Sequence, residues 1–243
     1  MTMLWQLLPI TTLTLRQFTG GRTWRLVLFL SCIPALFALI YLLRPWGMPA
    51  APVLRGLFRD LILPTLLPIV ILLPATAAFG EELEDDTLPY LLMKPISRVR
   101  IVLGKYLATI LVTTLSLWIG LLLTTFIISR AERVTGVWEQ LWPMVAASAA
   151  GGMLLGAVFI LVSLVIPRAL LAGMLYIFAW ESLLGRFLPG VRAISSRESM
   201  QKIYQALVDN DASAAGQAFL PMAVVTVIAL ALAVWRLRTL QID

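Results

Sequence analysis

The densest group of ionisable side chains in the sequence is acidic and comprises Glu81, Glu82, Glu84, Asp85 and Asp86. Carboxylates in such a run can accept hydrogen bonds from arginine or lysine, or they can serve as acids and bases in catalysis. Catalysis is disfavoured, because the sequence has no histidine, no HExxH motif and no nucleophile beside a base. The run is therefore interpreted as a surface for basic groups of a partner, and a solvated acidic helix cap is the alternative.

A second candidate is Glu181, which interrupts the long apolar stretch 169–188 together with Arg186. Where such a stretch crosses a bilayer, a carboxylate is costly unless it is paired or hydrated, so it is a functional candidate. Glu181 and Arg186 are predicted as gate or pathway residues. The alternative is an interfacial carboxylate that bonds to the end of a neighbouring helix.

The composition disfavours metal binding, an intrachain disulfide and nucleic-acid binding. Histidine is absent and Cys32 is the single cysteine, which removes the common metal ligands and any intrachain disulfide. The net charge of +6 arises without a lysine and arginine cluster interleaved with aromatic residues, and this fits anionic lipid better than nucleic acid. We therefore expect no metal site, no cofactor bound by this chain and no nucleic-acid partner, whereas membrane lipid is an expected partner.

The elements that position these residues are predicted to be transmembrane helices. The sequence is 60% hydrophobic and only 13% charged, whereas about a quarter of the residues in soluble domains are charged. Lipid forces backbone N–H and C=O groups to pair within the protein, which leaves helices or a closed barrel. A barrel would alternate apolar and polar residues, but the apolar stretches are continuous and rich in leucine and alanine. The fold class is therefore an all-α polytopic membrane protein.

Six apolar stretches approach the length of about 20 residues that a helix needs to cross the bilayer. They predict a single transmembrane domain over 1–243, with spans at about 26–43, 61–80, 104–129, 141–167, 169–188 and 214–236. A turn at Pro167 and Arg168 makes the fourth and fifth spans an antiparallel hairpin. Three prolines in the second span, Pro64, Pro68 and Pro74, predict a bend in that helix.

Three regions outside the ionisable candidates carry weaker signals. Residues 1–25 predict an interfacial helix along the membrane surface, with a frayed polar leader as the alternative. Gly152 and Gly156 have the GxxxG spacing that lets another helix approach closely, either within the chain or across a dimer. Residues 189–213 form a predicted extracellular loop, in which Ser199 to Val208 could be a short surface helix or a solvated connector.

The orientation of the chain does not follow from its basic residues. An even number of spans places both termini on one side, and that side carries ten lysine and arginine residues against nine on the other. So small a difference does not decide the topology by the positive-inside rule. The orientation must therefore come from the function of the loop that holds the acidic run.

The segment that contains the acidic run connects the second and third predicted spans and carries several motifs in a fixed order. Those motifs are Glu82 and Glu84, Thr87-Leu88, Leu91-Leu92, Pro95-Ile96-Ser97-Arg98 and Ile101-Val102-Leu103-Gly104-Lys105. In order and spacing they resemble the permease subunits of type-2 ABC exporters, the ABC-2 transporter family. The six spans, the N-terminal helix and the stretch from Trp180 to Gly190 extend the resemblance over nearly the whole chain. Asp86 and Pro89 depart from it, since the family more often has glycine and an acidic residue there.

The resemblance implies that the loop at 81–100 holds a short amphipathic coupling helix, which fits into a cleft on a separate nucleotide-binding ATPase subunit. The residues that it implicates in this coupling are Glu81, Glu82, Glu84, Asp85, Asp86, Thr87, Leu88, Leu91, Pro95, Ser97 and Arg98. The loop and both termini would then be cytoplasmic, in a multi-pass protein of the cell membrane. ATP and Mg would bind the partner subunit, and a second copy or a homologous permease would complete the membrane domain.

A permease subunit that exports a substrate is thus the leading hypothesis. The chain itself is not expected to be an enzyme, because it contains no G-x-x-x-x-G-K-[ST] phosphate loop and Gly104-Lys105 lacks the rest of that motif. Two alternatives stay open, namely a non-transporting scaffold or sensor that docks an ATPase, and an intramembrane enzyme. The enzyme is the weaker alternative, because histidine is absent and Glu181 is the single deep carboxylate.

Overall fold

The computed structural model describes residues 2–43, 47, 49–84, 93, 96–131, 136–166, 168–177 and 196–239, and all regular elements in these ranges are helical. The α-helices are α1 (Thr2–Gly20), α2 (Arg22–Ser31), α3 (Ile33–Leu43), α4 (Ala50–Gly56), α5 (Leu67–Glu84), α6 (Arg98–Ala131), α7 (Leu141–Val165), α8 (Ala169–Leu175), α9 (Ser196–Val208) and α10 (Ala212–Thr239). A π-helix at Leu57–Leu66 joins α4 to α5, and a 3-10 turn at Trp138–Gln140 precedes α7.

Within the described ranges, five segments are long and apolar enough to cross a membrane: Arg22–Leu43, Ala50–Gly80, Arg98–Arg130, Trp138–Val165 and Ala212–Thr239. They overlap the first, second, third, fourth and sixth predicted spans. Of the fifth predicted span only 169–177 are described, and α8 begins there directly after Arg168, whose backbone is left-handed with φ 58°. Residues 178–195 and Pro167 lie outside the described ranges, so the count of six spans stays a prediction.

The first span consists of two helices rather than one. The break between α2 and α3 lies at Cys32, whose N–H donates to the carbonyl oxygens of Leu28 and Phe29 at 3.1 Å each. Pro34 follows and has no N–H to donate to the preceding turn, which accounts for the break. Much of the apolar surface stays exposed, with Phe29 64% and Leu43 78% accessible. This span therefore lies at the periphery of the protein, where lipid can cover it.

Among the five described spans the second is the most buried. It contains a π-helix, and the bend expected from its prolines stays a prediction. In its most apolar window 72% of the residues are buried, against 22% for the span formed by α10. Pro64 and Pro68 lack N–H groups, so the regular hydrogen bonds of an α-helix cannot form at these positions. The wider π-helical turns at Leu57–Leu66 occur at this point and bury Phe58 and Ile62 in the core.

The core lies where α5, α6 and α7 pack against one another. Their most deeply buried side chains include Ile71, Leu72 and Phe79 of α5, Ile101 and Leu121 of α6, and Phe159 and Ile160 of α7. A hydrogen bond ties two of these helices, since the hydroxyl of Tyr106 donates to the carbonyl oxygen of Met153 at 3.0 Å. The acidic segment thus connects two helices of the core, α5 and α6.

The N-terminal segment is a helix, α1, which continues through Pro9 without a break. It packs against α6 and buries Phe18. A Cβ atom on Gly104 would lie 2.8 Å from Cγ2 of Ile10, so glycine allows the close approach of α1 to α6. The placement of α1 along the membrane surface stays a prediction.

Candidate functional site

The candidate site lies at the end of α5 and the beginning of α6, which flank the acidic segment. The structure describes the backbone of α5 as far as Glu84, and it describes Met93, Ile96, Ser97 and α6 from Arg98 onward. Six of the predicted coupling residues lie outside the described ranges, namely Asp85, Asp86, Thr87, Leu88, Leu91 and Pro95. The side chains of Glu81 and Glu84 are likewise outside the described part. The coupling helix itself therefore stays a prediction.

Glu82 does not point away from the chain, because it forms an ion pair with Lys105 of α6. Its Oε1 atom lies 2.6 Å from Nζ of Lys105, and the two side chains are only 17% and 3% exposed. The same ammonium group donates a hydrogen bond to the carbonyl oxygen of Ala78. It also lies 4.3 Å from the centroid of the Phe79 ring. We refer to these four residues, Ala78, Phe79, Glu82 and Lys105, as the clamp.

The spacing of the clamp residues along α5 explains how one lysine reaches all of them. Ala78 and Glu82 are four positions apart, so they lie one above the other on the same face of the helix. Lys105 comes from the facing helix and places its ammonium group against that face. Burial of an ammonium ion is costly unless a counter-charge and further hydrogen bonds compensate it. The carboxylate, the carbonyl oxygen and the negative face of the aromatic ring supply this compensation.

Lys105 is the site residue that the sequence analysis missed. It was assigned only to the Gly-Lys motif, and it was not predicted to pair with any of the site residues. A usable signal was present, because Lys105 falls inside the third predicted span at 104–129. A charged residue within a span is a functional candidate by default, and the same rule had selected Glu181.

Ser97 and Arg98 lie where α6 begins. The carbonyl oxygen of Ser97 accepts hydrogen bonds from the N–H groups of Arg100 at 2.9 Å and Ile101 at 3.3 Å, so Ser97 starts the helix. Arg98 is half-buried, and its Nη1 atom has no hydrogen-bond acceptor among the described residues.

Gly152 and Gly156 lie on α7 and face α5 and α6 of the same chain. A Cβ atom on Gly152 would lie 3.5 Å from Cγ2 of Thr114, and one on Gly156 would lie 3.6 Å from Cγ1 of Ile110. These are ordinary van der Waals distances, so alanine would fit at both positions. The surface around the two glycines is occupied by helices of this chain, and a role in a dimer stays a prediction.

A second packed region lies at the opposite end of α5, where α9 covers the π-helix and α7. One face of α9 is buried and includes Met200, Ile203 and Tyr204. The Sδ atom of Met200 occupies the space where Gly151 lacks a side chain. The ring of Tyr204 lies 4.8 Å from that of Phe58, centroid to centroid. We refer to these contacts as the α9 seat.

The α9 seat differs from the sequence-based expectation for this loop. A solvated connector or a surface helix at Ser199 to Val208 was expected, but α9 starts earlier, at Ser196, and is packed into the protein. The periodicity that buries Met200 and Tyr204 is helical, because the two residues are four positions apart. Burial raises the pKa of the Tyr204 hydroxyl, and the nearby positive charge of Arg55 lowers it by a smaller amount.

Glu181 and Arg186, the predicted gate or pathway residues, lie outside the described ranges. In the described part of the chain, no group of three or more His, Cys, Asp or Glu residues is arranged to hold a metal ion.

Comparison with known proteins adds one finding. The family model described as ABC-2 family transporter protein matches residues 16–239, which include the whole segment between α5 and α6. No curated protein sequence matches the chain.

Proposed function

Because the chain belongs to the ABC-2 transporter family, we propose that it exports a substrate across the cell membrane with energy from a separate ATPase subunit. The resemblance that the sequence motifs indicated is confirmed. Family membership identifies the chain as a multi-pass membrane protein and as the permease of an ABC transporter. The direction of transport, the particular ATPase and the orientation in the membrane belong to the proposal.

The observation that carries the proposal is the position of the acidic segment between two core helices. The segment leaves α5 at Glu84 and joins α6 at Arg98. Since α5 and α6 contact each other and α7, a displacement of the segment acts on the centre of the membrane domain rather than on its edge. This is the arrangement that a subunit needs if an external ATPase is to change its conformation.

The proposed ATPase binds ATP and Mg itself, and it docks on the segment 81–100 from the cytoplasm. Both termini are then cytoplasmic as well, if the protein has six spans. A second copy of this chain or a homologous permease provides the other half of the path. Exposed apolar side chains on α3 and α10, such as Leu36 at 55% and Val227 at 66%, provide surface for lipid or for that second subunit.

Co-purification tests the proposal directly. The chain is expressed with candidate ATP-binding subunits, isolated in lipid nanodiscs, and examined for a bound ATPase and for stimulated ATP hydrolysis. Charge reversal at Glu84 and Asp85 should weaken the association about tenfold and make it less sensitive to salt, because surface charge pairs are screened by ions. The matched control is reversal of Glu139 and Asp209, two exposed acidic residues outside the segment.

The outcomes separate the hypotheses. Failure of the wild-type chain to retain any ATP-binding subunit would refute the proposal. If the segment variant and the control variant lose association equally, the segment is not part of the interface with the ATPase. Retention of the ATPase without transport of any lipophilic or amphipathic probe would favour the alternative of a scaffold or sensor subunit.

A further inference from the structure

We propose that the clamp makes the ends of α5 and α6 move as one unit, so that Glu82 and Lys105 are positioning residues for the coupling segment rather than part of the ATPase interface. The inference rests on the proposed function, since it assumes that an ATPase acts on the segment. It assigns a different role to Glu82 from its neighbours in the acidic run. It also adds Lys105, which the coupling residues implied by the resemblance do not include.

Burial argues against direct contact between the pair and another protein. The side chain of Lys105 is 3% exposed and that of Glu82 is 17% exposed. The segment leaves α5 two positions beyond Glu82 and joins α6 seven positions before Lys105. At 1.5 Å per residue, Lys105 lies about 10 Å along α6 from the start of that helix. The pair thus lies within the packed helices, on the parts of α5 and α6 that the structure describes.

The contacts of Lys105 explain why the two helix ends resist separation. Its ammonium group contacts three residues of α5, namely Glu82, Ala78 and the ring of Phe79. If the ends of α5 and α6 moved apart, the ion pair would be broken in a poorly solvated place, which is costly. A pair in such surroundings strongly favours one register of the two helices. A movement imposed on the segment is therefore passed to both helices together.

The neighbouring residue fixes α6 on a second side. Gly104 precedes Lys105 and allows Ile10 of α1 to approach, because a Cβ there would lie 2.8 Å from Cγ2 of Ile10. The beginning of α6 is therefore held by α1 as well as by the clamp on α5. Slippage of α6 alone is opposed on both sides, which favours movement of α5 and α6 as one body.

A reversible tether tests this inference. Glu82 and Lys105 are replaced together by cysteine in a Cys32→Ala background, and a short bis-methanethiosulfonate reagent links the two cysteines until a reductant cleaves it. The complex with the ATPase is measured in nanodiscs for affinity and for stimulation of ATP hydrolysis. We expect unchanged affinity in both states. Stimulation should fall about tenfold without the tether, within the usual range for coupling between sites, and should recover when the tether is present.

A second variant tests the inference if the double-cysteine protein does not fold. Glu82→Leu combined with Lys105→Met replaces the pair by apolar side chains of similar size, a change that often preserves stability. The clamp hypothesis predicts a normal melting temperature together with reduced stimulation, which a purely structural pair would not show. Equal stimulation in the tethered and reduced states, or wild-type stimulation in the apolar variant, would overturn the clamp. Absence of ATPase binding to the wild-type chain would instead refute the proposed function on which the clamp depends.

Discussion

The second span is held at its two ends by different physical means. At one end the clamp joins α5 to α6 through a buried ion pair, with Glu82 and Lys105 2.6 Å apart. At the other end the α9 seat covers the π-helix through apolar and aromatic contacts, with Met200 fully buried. The two devices occupy the same continuous helical segment, Ala50–Gly80 and its extension to Glu84.

The difference lies in how each contact responds to displacement. A buried ion pair is sensitive to register, because moving one partner leaves two charges without compensation. An apolar contact loses stability gradually, in proportion to the surface and volume that it gives up. The clamp therefore suits transmission of a movement without slippage. The α9 seat suits a place where helices rearrange in small steps.

The largest effect is expected from breaking the clamp at one residue. Lys105→Met breaks the ion pair with the mostly buried Glu82 carboxylate, and we expect a loss of about 3–5 kcal/mol in the free energy of unfolding. Thermal unfolding in nanodiscs measures it. The control is Lys202→Met, an exposed lysine on α9, which should change stability by less than about 0.5 kcal/mol. Equal melting temperatures for the two variants would mean that loss of Lys105 does not destabilise the folded state, which would contradict a buried ion pair with Glu82.

A smaller and more graded effect is expected at the α9 seat. Met200→Ala removes a fully buried side chain, and such changes cost about 2–5 kcal/mol, depending on how far the site collapses. Gly151→Ala should also destabilise, because its new methyl group would meet the Sδ atom of Met200. The combined variant should be more stable than the sum of the two changes predicts, since the shortened residue makes room for the methyl group. Strict additivity would show that the two residues do not contact each other.

The fold was largely predictable because hydropathy and the absence of charge report directly on membrane helices. The break at Cys32 was not predicted, although Pro34 was one signal for it. The burial of α9 was also missed, because its segment 196–208 is polar enough to pass for a solvated loop. The helical periodicity of Met200 and Tyr204 indicates a buried face on α9, but it does not identify the helices that pack against that face.

The candidate site was predictable in position but only partly in its contacts. The order of motifs located the segment between α5 and α6, and the family match confirms that recognition. The sequence analysis grouped Glu82 with the other carboxylates of the acidic run, because the order of residues does not show which side chain points into the protein. Its partner Lys105 lies on another helix, and pairs between helices depend on packing that no local pattern encodes. Lys105 could still have been selected as a charge inside a predicted span.

The smallest effect on stability at neutral pH is expected for Tyr204→Phe. Its dependence on pH distinguishes the α9 seat from the clamp. The Tyr204 hydroxyl is buried and has no hydrogen-bond partner among the described residues, so its removal should change stability at neutral pH by less than about 1 kcal/mol. Burial raises the pKa of Tyr204 above the ordinary value of 10.0. A group of this kind stabilises the folded state fully below its ordinary pKa and loses that contribution as the pH rises through the raised value. The melting temperature of the wild-type chain should therefore fall more than that of the variant as the pH rises above about 10. Parallel alkaline profiles would place the Tyr204 hydroxyl in water and contradict the packed α9 seat.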